Sequence, residues 1–393
     1  MKVVVIGLGR VGIATSLKLA YRNKVIGVDI NKHIIQLLNK GKMPFYEPNL
    51  VKILNTRKKN IEFTDNYSKL KEAKVIFIAV QTPTVNGKAE LSNVFSAIHN
   101  ATLINKTAIY VLKSTVPPGT TTFITKKFGI KAVSNPEFLE EGKIINHVLK
   151  PDFIVIGASN NDDAFEVSKL LKGKSNKIII TTIENAEFVK YGINAFLASK
   201  IAFIEQLGEL CEKIPNSNIR IISEILSNDP RIGSSHIKPG IGFGGPCLEK
   251  DATALVNYAK ENNVKLGIVE SAIKFNRTRP NKFIKFVEAK INGFNNKKIG
   301  ILGIGFKPYT DDINNSKPLL VVKKLVRKGF TVNVYDPIIK VKINGANSYN
   351  SINEFIRESD FIIVTTKINK KILIPKHKIL VDIANIPKIK ILN

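Results

Sequence analysis

The sequence predicts an α/β protein that has two doubly wound parallel sheets joined by a region of long helices. An apolar run at 2–6 leads into a glycine-rich turn and a helix, and a similar pattern of strands returns from 298–305 onward. Between these regions, from Asn185 to about Leu210, apolar residues recur at helical spacing and predict long buried helices. Strands that alternate with helices indicate parallel sheets with helices on both faces.

Length and composition exclude several classes of protein. A chain of 393 residues is too long for one compact domain, because hydrophobic cores stop growing near roughly 250 to 300 residues. Its 44% hydrophobic residues, 23% charged residues and mean hydropathy of +0.02 exclude disorder, collagen and coiled coil. No apolar run approaches the roughly 18 residues of a membrane span, and the first strand follows Met1 almost at once. We therefore expect a soluble, cytoplasmic protein with no membrane partner.

The chain is strongly basic, with 60 Lys and Arg against 32 Asp and Glu and a net charge of +28. Charge alone suggests a polyanion such as nucleic acid as a partner. The lysines are spread along the whole chain, however, so we predict no nucleic-acid partner and expect the positive field to favour small anions. The two cysteines, Cys211 and Cys247, are too far apart and too different in context for a disulfide framework or a metal site. We predict no metal.

The turn after the first strand carries a G-x-G-x-x-G motif. Gly7 permits the tight turn, Gly9 lets the backbone approach a pyrophosphate, and Gly12 allows close packing of helix and strand. The N-terminus of the following helix adds N–H donors for phosphate. A second strand at 25–29 ends at Asp29, about twenty residues after the glycines, where an acid accepts the ribose hydroxyls of adenosine and repels a 2′-phosphate. The motif therefore predicts NAD rather than NADP as the cofactor.

Further apolar segments extend the first sheet and form the second. The strands predicted after the first two lie at 74–80, 108–112, 153–156, 298–305, 332–336, 361–364 and 379–383. The turn of the second sheet lacks the third glycine, so we expect it to hold a different ligand from NAD, or none. A nucleotide portion of the substrate is one candidate.

A second glycine-rich turn carries a cysteine next to charged residues. A helix that begins at Pro246 would place its positive end at Cys247, and together with Lys250 it would lower the thiol pKa and favour the thiolate. Asp251 would lie one helical turn away on the same face. Beside NAD, a thiolate suggests oxidation of an aldehyde, because its adduct loses hydride to become a hydrolysable thioester. A buried structural cysteine is the alternative.

Two further stretches, 134–142 and 187–194, are too polar for packing alone. On a helix, Lys190 and Asn194 share one face. Lys190 would then stabilise the charge that develops on an alcohol oxygen, and Asn194 would donate a hydrogen bond to it. An exposed helix face is an equally weighted alternative.

Taken together, these motifs make the chain resemble the UDP-glucose/GDP-mannose dehydrogenase family over essentially its full length. The matching segments are the opening glycine motif, 113–120, 135–142, 229–233, 242–251 and 306–308. The resemblance implies two Rossmann-like sheets and a four-electron oxidation of the C6 alcohol of a nucleotide sugar to a carboxylate. This oxidation uses two NAD⁺ and passes through an aldehyde and a Cys thioester. The spacing through 136–142 favours UDP-glucose, and GDP-mannose and UDP-N-acetylmannosamine remain alternatives.

The resemblance also implies three sets of site residues. The catalytic residues are Cys247, Lys190, Asp251, Asn194, Thr115 and Glu137. The NAD-binding residues are Gly7, Gly9, Val11, Gly12, Asp29, Thr82, Thr115, Glu141 and Lys250. The substrate-binding residues are Glu137, Phe138, Leu139, Glu141, Lys190, Asn194, Arg231, Lys238, Gly244, Phe306 and Lys307.

The family assigns a role to each principal catalytic residue. Cys247 matches the nucleophile, while Lys190 and Asp251 match the pair that, with a water, handles the alcohol proton and the oxyanion. Glu137 matches the carboxylate that helps to activate the hydrolytic water, and Thr115 lines the nicotinamide.

Three domains and a homodimer follow from the same resemblance. We expect an NAD-binding domain at 1–190, a central helical dimerisation domain with the catalytic cysteine at 191–292, and a UDP-sugar-binding domain at 293–393. Arg231 is expected to reach the substrate of the partner subunit. A monomer would then be inactive.

Three residues depart from the family pattern. Arg10 replaces an aromatic residue in the glycine turn; a contact to the pyrophosphate is one alternative, but we expect it to face solvent. Glu249 stands where a proline commonly precedes Lys-Asp; an inward carboxylate would oppose thiolate formation, so we expect it to point outward. The D-D-x-R-E-S turn is replaced by the sequence at 311–316, where Asn314 takes the place of an arginine that reaches the cofactor. We expect this loss to weaken NAD binding or domain closure.

Other functions remain open from the sequence. A 3-hydroxyacid dehydrogenase shares the NAD domain and the helix lysine with an asparagine four residues later, but it needs neither Cys247 nor a second sheet. A catalytically retired nucleotide-sugar or NAD-binding regulator is suggested by Asn314 and Glu249. The retained catalytic set argues against that reading.

Overall fold

The protein is described by a computed structural model that covers residues 1–173, 177–291, 298–367, 372–375, 378–383 and 389–392. The chain forms two compact units, Met1–Ile193 and Asn194–Asn393. The division into three domains at 190 and 292 stays a prediction. No helix of the described residues is long and apolar enough to cross a membrane.

The first unit is built on one eight-stranded sheet. Its strands and those of a short hairpin are β1 (Lys2–Ile6), β2 (Lys24–Val28), β3 (Ile61–Thr64), β4 (Val75–Ile78), β5 (Thr84–Val85), β6 (Lys88–Ala89), β7 (Ile109–Leu112), β8 (Lys131–Ser134), β9 (Phe153–Gly157) and β10 (Lys177–Thr181). The sheet order is β10-β9-β8-β7-β4-β1-β2-β3, and β5 pairs with β6 separately. All neighbours in the sheet are parallel except β8 and β9. The winding reverses beside β1, which is where open α/β sheets bind nucleotides.

Helices cover both faces of this sheet. They are α1 (Arg10–Leu19), α2 (Lys32–Asn39), α3 (Leu50–Arg57), α4 (Ser92–Thr102), α5 (Thr120–Phe128), α6 (Ile144–Leu149) and α7 (Asn161–Leu171), with 3-10 turns at Lys58–Asn60 and Tyr67–Glu72. Val3 and Val5 of β1 belong to one buried cluster, and Val4 and Ile6 belong to another. Because successive strand side chains point to opposite faces, this alternation confirms a sheet buried on both sides.

The second unit contains long helices followed by a five-stranded parallel sheet. Helix α8 (Ile183–Cys211) begins in the first unit, and α9 (Ile219–Asn228), α10 (Leu248–Glu261), α11 (Gly267–Ile291), α12 (Lys317–Arg327) and α13 (Ile352–Arg357) follow. The strands are β11 (Ile299–Leu302), β12 (Val332–Tyr335), β13 (Ala346–Tyr349), β14 (Phe361–Val364), β15 (Ile372–Pro375), β16 (Ile379–Asp382) and β17 (Ile389–Leu392). The sheet order is β13-β12-β11-β14-β16, and β15 pairs with β17. The predicted fold class is thus confirmed, including the long helices.

The start of α10 differs from its prediction, and this difference changes the position of Cys247 relative to the helix. The helix expected to begin at Pro246 begins at Leu248, and Cys247 is its N-cap residue. A proline is compatible with a first helical turn, but its position does not fix the boundary to the residue. The consequence is that Cys247 lies at the start of α10 rather than inside its first turn.

A cleft in the first unit contains a lysine that has no counterion among the described residues. Lys18 of α1 lines the cleft together with Lys113, Phe138, Phe153 and Leu171. No described residue pairs with the Lys18 ammonium group, and burial lowers its pKa to about 8. The charged form of Lys18 therefore opposes folding at neutral pH.

We expect Lys18→Met to stabilise the protein by about 1 kcal/mol at pH 7, because it removes a partly buried charge that has no partner. The folded pKa of Lys18 lies below the unfolded value. The gain is therefore fully present below about pH 8 and shrinks as the pH rises toward the unfolded pKa. Thermal unfolding at pH 7 and at higher pH measures this dependence.

Lys52→Met in α3 is the matched control, because Lys52 is exposed to solvent. An equal change in Tm for both variants, or a gain for Lys18→Met that does not depend on pH, would contradict the assignment.

Candidate active site

The predicted site residues fall into two sets, one in each unit. The first unit contains Gly7, Gly9, Val11, Gly12, Asp29, Thr82, Thr115, Glu137, Phe138, Leu139, Glu141 and Lys190. The second unit contains Asn194, Arg231, Lys238, Gly244, Cys247, Lys250, Asp251, Phe306 and Lys307. Lys190 and Asn194 lie four residues apart in helix α8, as their spacing predicts.

The glycine turn after β1 has the geometry of a pyrophosphate site. Gly7 has a φ of +93°, and a Cβ atom there would lie 2.6 Å from the carbonyl oxygen of Ala79. A Cβ atom on Gly12 would lie 1.7 Å from the carbonyl oxygen of Gly7, so only glycine permits this packing. Gly9 caps α1 with no side chain and has open space beside it. The first amides of α1 therefore fit the phosphates of NAD.

Asp29 lies beside this turn at the end of β2. One carboxylate oxygen accepts a hydrogen bond from the amide of Leu8 at 2.6 Å, and the other accepts one from Asn31 at 2.8 Å. These contacts fix the carboxylate at the position where an acid selects a ribose hydroxyl over a 2′-phosphate. Thr82 is buried after β4, and Val11 packs against the core from α1.

The expectation that Arg10 faces solvent is wrong. Its Nε lies 3.5 Å from Oε1 of Glu141, and its guanidinium group lies 4.5 Å from the centre of the Phe45 ring. A carboxylate and an aromatic face together supply the partners that a half-buried guanidinium group needs. The ion pair also places Glu141 beside the first residue of α1. Its role in cofactor binding stays a prediction.

Glu47 is a structural residue that the sequence analysis missed. It is buried, and its two carboxylate oxygens accept hydrogen bonds from the amides of Gly142 and Ile144 at 2.8 and 2.9 Å. Glu47 thereby holds the segment directly after Glu141. No local motif marks it, because its partners are almost a hundred residues away.

Lys190 and Glu137 form a buried ion pair. Lys190 Nζ lies 3.0 Å from Glu137 Oε1, and the amide of Leu139 donates to Glu137 Oε2 at 2.6 Å. Burial raises the pKa of Glu137, but the charge of Lys190 and the hydrogen bond from Leu139 outweigh it, and the net pKa lies below its ordinary value. Glu137 is therefore a carboxylate at neutral pH. The ammonium group of Lys190 also lies 5.6 Å from the centre of the Phe138 ring.

A second buried lysine supports this pair and was not predicted. Lys113 donates to Oδ1 of Asn135 at 2.9 Å, and Asn135 donates to the carbonyl oxygen of Val155 at 2.7 Å. Burial lowers the pKa of Lys113 to about 7, although the charge of Glu137 raises it. Lys113 follows β7 and Asn135 follows β8, so the contact ties together the ends of two strands.

The segment that follows Thr115 is anchored by Glu187, a further residue that the sequence did not single out. Its carboxylate accepts hydrogen bonds from the amides of Gly119 and Thr121 at 2.6 and 2.8 Å, and from the Thr121 hydroxyl. Burial raises the pKa of Glu187 to about 7 in spite of these donors. Glu187 lies in α8 one turn before Lys190, so the same helix holds the Thr115 segment and presents the lysine.

In the second unit, Cys247 is the N-cap residue of α10 and Asp251 lies one helical turn later. Cys247 is half-buried, and the amide of Asp251 donates to its carbonyl oxygen at 2.8 Å. Asn194 donates to Oδ2 of Asp251 at 2.6 Å, and Lys250 Nζ lies 2.5 Å from Oδ1. This geometry agrees with the predicted placement of Asp251 one turn after the thiol. It also pairs the Lys250 ammonium group with Asp251.

The glycine turn before Cys247 packs directly on Phe306. A Cβ atom on Gly244 would lie 2.9 Å from Phe306 Cβ, and one on Gly245 would lie 2.6 Å from the Phe306 ring. Asn276 holds Phe243 from the other side through its backbone amide and carbonyl, at 2.8 and 3.1 Å. The turn is therefore fixed by close packing and has no room for larger residues.

The expectation that Glu249 points outward is also wrong. Its carboxylate lies 2.9 Å from Arg277 Nε and 3.2 Å from Lys317 Nζ. Each cation offsets the burial of the carboxylate, which is the physical reason that an acid is accommodated near Cys247.

The remaining predicted residues of this unit differ in their exposure to solvent. The Arg231 side chain is 86% exposed and binds Asp229 with two nitrogens. Lys238 is exposed, and Lys307 is half-buried next to Phe306. For the described residues, no group of three or more His, Cys, Asp and Glu is arranged to hold a metal ion.

Comparison with known proteins covers nearly the whole sequence. Models of the UDP-glucose/GDP-mannose dehydrogenase family match in three successive parts: the NAD binding domain at residues 1–173, the central domain at 184–278 and the UDP binding domain at 300–388. The UDP-glucose 6-dehydrogenase of Rickettsia bellii is 34% identical over 99% of this chain and 96% of its own.

Solved structures give the same result. A UDP-glucose dehydrogenase from Pyrobaculum islandicum has a TM-score of 0.90 at 28% identity, and the match covers 99% of this chain and 96% of that one. A UDP-D-ManNAc dehydrogenase from Pyrococcus horikoshii has a TM-score of 0.86 at 25% identity, over 98% and 99% of the two chains. The glycine turn and Asp29 fit the cofactor of these enzymes, and the chain belongs to the UDP-glucose/GDP-mannose dehydrogenase family of NAD-dependent oxidoreductases.

Proposed function

We propose that the protein is a UDP-glucose 6-dehydrogenase, which oxidises the C6 alcohol of UDP-glucose to the carboxylate of UDP-glucuronate. The observation that carries the proposal is the placement of Cys247 at the start of α10, one turn before an Asp251 that is held by Asn194. A two-electron alcohol dehydrogenase needs no such thiol. The names of the relatives support UDP-glucose as the sugar nucleotide.

In the first oxidation, the C6 alcohol loses a hydride and a proton and becomes an aldehyde. NAD⁺, held by the glycine turn and Asp29, would supply the hydride acceptor for this step and for the later one. Asp251 accepts the alcohol proton through a water molecule, and Lys190 stabilises the alkoxide charge as it develops. Asn194 orients Asp251 through the hydrogen bond at 2.6 Å.

In the second oxidation, the Cys247 thiolate adds to the aldehyde carbon. The start of a helix favours the thiolate form, because its unpaired amides carry partial positive charge. Lys190 stabilises the oxyanion of the resulting thiohemiacetal, which loses a second hydride to become a thioester. Glu137 removes a proton from water, the hydroxide attacks the thioester carbonyl, and the thiolate of Cys247 leaves as the carboxylate product forms.

The decisive measurement is the number of NADH formed per sugar nucleotide consumed, followed by absorbance. We expect two NADH per UDP-glucose, and little or no turnover with GDP-mannose or UDP-N-acetylmannosamine. Cys247→Ser should slow formation of the acid by about 100-fold or more, because a hydroxyl is a much weaker nucleophile at neutral pH.

Cys211→Ser is the matched control, since Cys211 is buried at the end of α8 and its thiol contacts only Ser217 among the contacts that the structure records. Turnover of another sugar nucleotide alone would reassign the substrate within the family, for which the similarity to the UDP-D-ManNAc enzyme makes that sugar the second candidate. NAD⁺ binding without turnover of any of the three would favour a retired enzyme.

We further propose that the active form is a homodimer joined through α8 and α9. Phe196, Phe203 and Leu210 lie seven residues apart on α8 and are 69%, 57% and 56% exposed. Ile221 and Ile225 of α9 add further exposed apolar surface. Large apolar side chains in a row along one helix face are typical of a surface that a partner covers. In this dimer, Arg231 would reach the substrate of the partner subunit.

We expect Phe203→Asp to give a monomer in sedimentation and to lose activity, because a charge in the apolar row opposes its burial. Phe165→Asp is the matched control, since Phe165 of α7 is also 57% exposed but lies in the first unit. A dimeric Phe203→Asp variant would remove this surface from the interface.

Mixing two inactive variants tests the role of Arg231. A mixed dimer of Arg231→Ala and Cys247→Ser contains one complete site only if Arg231 acts across the interface. We therefore expect mixing to restore activity. A mixture that forms heterodimers and stays inactive would place Arg231 in its own subunit's site. The cytoplasmic location stays a prediction.

A further inference from the structure

We infer that Glu249 is a positioning residue for the reaction, which joins the turn that carries Cys247 to the segment 314–317. This inference rests on the proposed function. It concerns a residue that the sequence identified only as a departure from the family pattern and that the mechanism above does not use.

Glu249 contacts α11, the segment before α12 and the first residue of α12. Its Oε1 accepts from Arg277 Nε at 2.9 Å. Its Oε2 accepts from Asn276 Nδ2, Asn315 Nδ2 and Lys317 Nζ at 3.0, 2.9 and 3.2 Å. One carboxylate therefore ties the first turn of α10 to α11 and to the start of α12.

The charge of Glu249 is neutralised inside this network. The side chain is 17% exposed, and that of Lys317 is only 4% exposed. Burial raises the pKa of Glu249, but hydrogen bonds from Asn315 and Arg277 and the charge of Lys317 outweigh it and hold the pKa below its ordinary value. Because two cations face the single carboxylate, Glu249 does not place an uncompensated negative charge near Cys247.

The same segment holds the cysteine turn through its backbone. The amide of Gly245 donates to the carbonyl oxygen of Asn314 at 2.9 Å, and a Cβ atom on Gly244 would lie 2.5 Å from the carbonyl oxygen of Asn315. Asn276 contacts both Phe243 and Glu249. The turn, the start of α10 and the segment 314–317 are therefore packed as one block, and a shift of any part moves the thiol.

The sequence departures occur at the two ends of this contact. The family pattern has a carboxylate at position 315 and a proline at 249, whereas this chain has Asn315 and Glu249. The Asn315 amide now lies against the Glu249 carboxylate. In this chain the acid of the contact is therefore on α10, and Lys317 balances its charge.

The test is the double variant Glu249→Gln with Lys317→Met, which removes the ion pair without changing the net charge. The control is Glu288→Gln with Lys328→Met, because Glu288 of α11 and Lys328, which caps the end of α12, form a different ion pair of the second unit, at 2.7 Å. Steady-state kinetics give kcat and KM, and mass spectrometry follows alkylation of Cys247 by iodoacetamide against pH.

We expect kcat for NADH formation to fall about tenfold in the Glu249 and Lys317 variant, with the KM for NAD⁺ nearly unchanged, because the thiol is misplaced while the cofactor turn is intact. At high pH, where the thiol is fully ionised, its alkylation rate should rise about threefold as the turn loosens. The control variant should change neither quantity. Asn315→Ala, which removes one neutral hydrogen-bond donor, should lower kcat and raise the alkylation rate by smaller factors than the double variant.

A lower Tm with unchanged kcat and unchanged alkylation would make the network merely structural and overturn the inference. An effect equal to that of the control pair would overturn it as well. The alkylation rate needs no substrate, so it tests the positioning of Cys247 even if wild-type protein oxidises none of the three sugar nucleotides, which would defeat the proposed function alone.

Discussion

The ion pair between Lys190 and Glu137 is the interaction on which the chemistry of the first unit depends. Removing two charged groups from water costs several kcal/mol for each group, and only close contact between them together with further hydrogen bonds offsets that cost. The pair meets this condition with a separation of 3.0 Å and an amide donor from Leu139. Its consequence is that the pKa of Glu137 lies below its ordinary value, so that Glu137 stays ionised. The pair thereby supports the proposed roles of Glu137 as a base and of Lys190 as the cation that faces an oxyanion.

In the second unit, the buried carboxylates around the thiol also have close cations and hydrogen-bond donors. Asp251 is 1% exposed and accepts from Asn194 and Lys250, while Glu249 accepts from four donors. Each of these carboxylates therefore has its own cation. Asp251 pairs with Lys250 of the same helix, and Glu249 pairs with Arg277 of α11 and Lys317 of α12. A cysteine placed at a helix start keeps the benefit of that position, because neither acid presents an unbalanced charge to it.

The parts of the fold and site that could be predicted from the sequence are those in which the interacting residues lie close together along the chain. Gly7 and Gly12 are in contact and lie only five residues apart, and Asp29 directly follows β2, the strand next to β1. One short sequence motif therefore contains the glycines and the acid. Glu187 and Glu47 were not predicted, because they accept hydrogen bonds from backbone amides that lie 68 and 95 residues away in the chain. Arg10 and Glu249 were misplaced for a related reason. Each departure was judged alone, while the partners that permit its burial, Phe45 and Lys317, lie far along the chain.

The pattern of departures also separates an altered enzyme from a retired one. Asn314 lacks the guanidinium group expected at its position, yet its carbonyl oxygen still holds the amide of Gly245. The lost side chain therefore does not disturb the turn that carries the thiol. Glu249 is matched by Lys317 and Asn315, so this buried acid has compensating partners. Glu137 and Asp251 likewise keep hydrogen-bond donors, from Lys190 and Asn194. These contacts support the proposal that the departures alter how the site is held rather than the chemistry proposed for it.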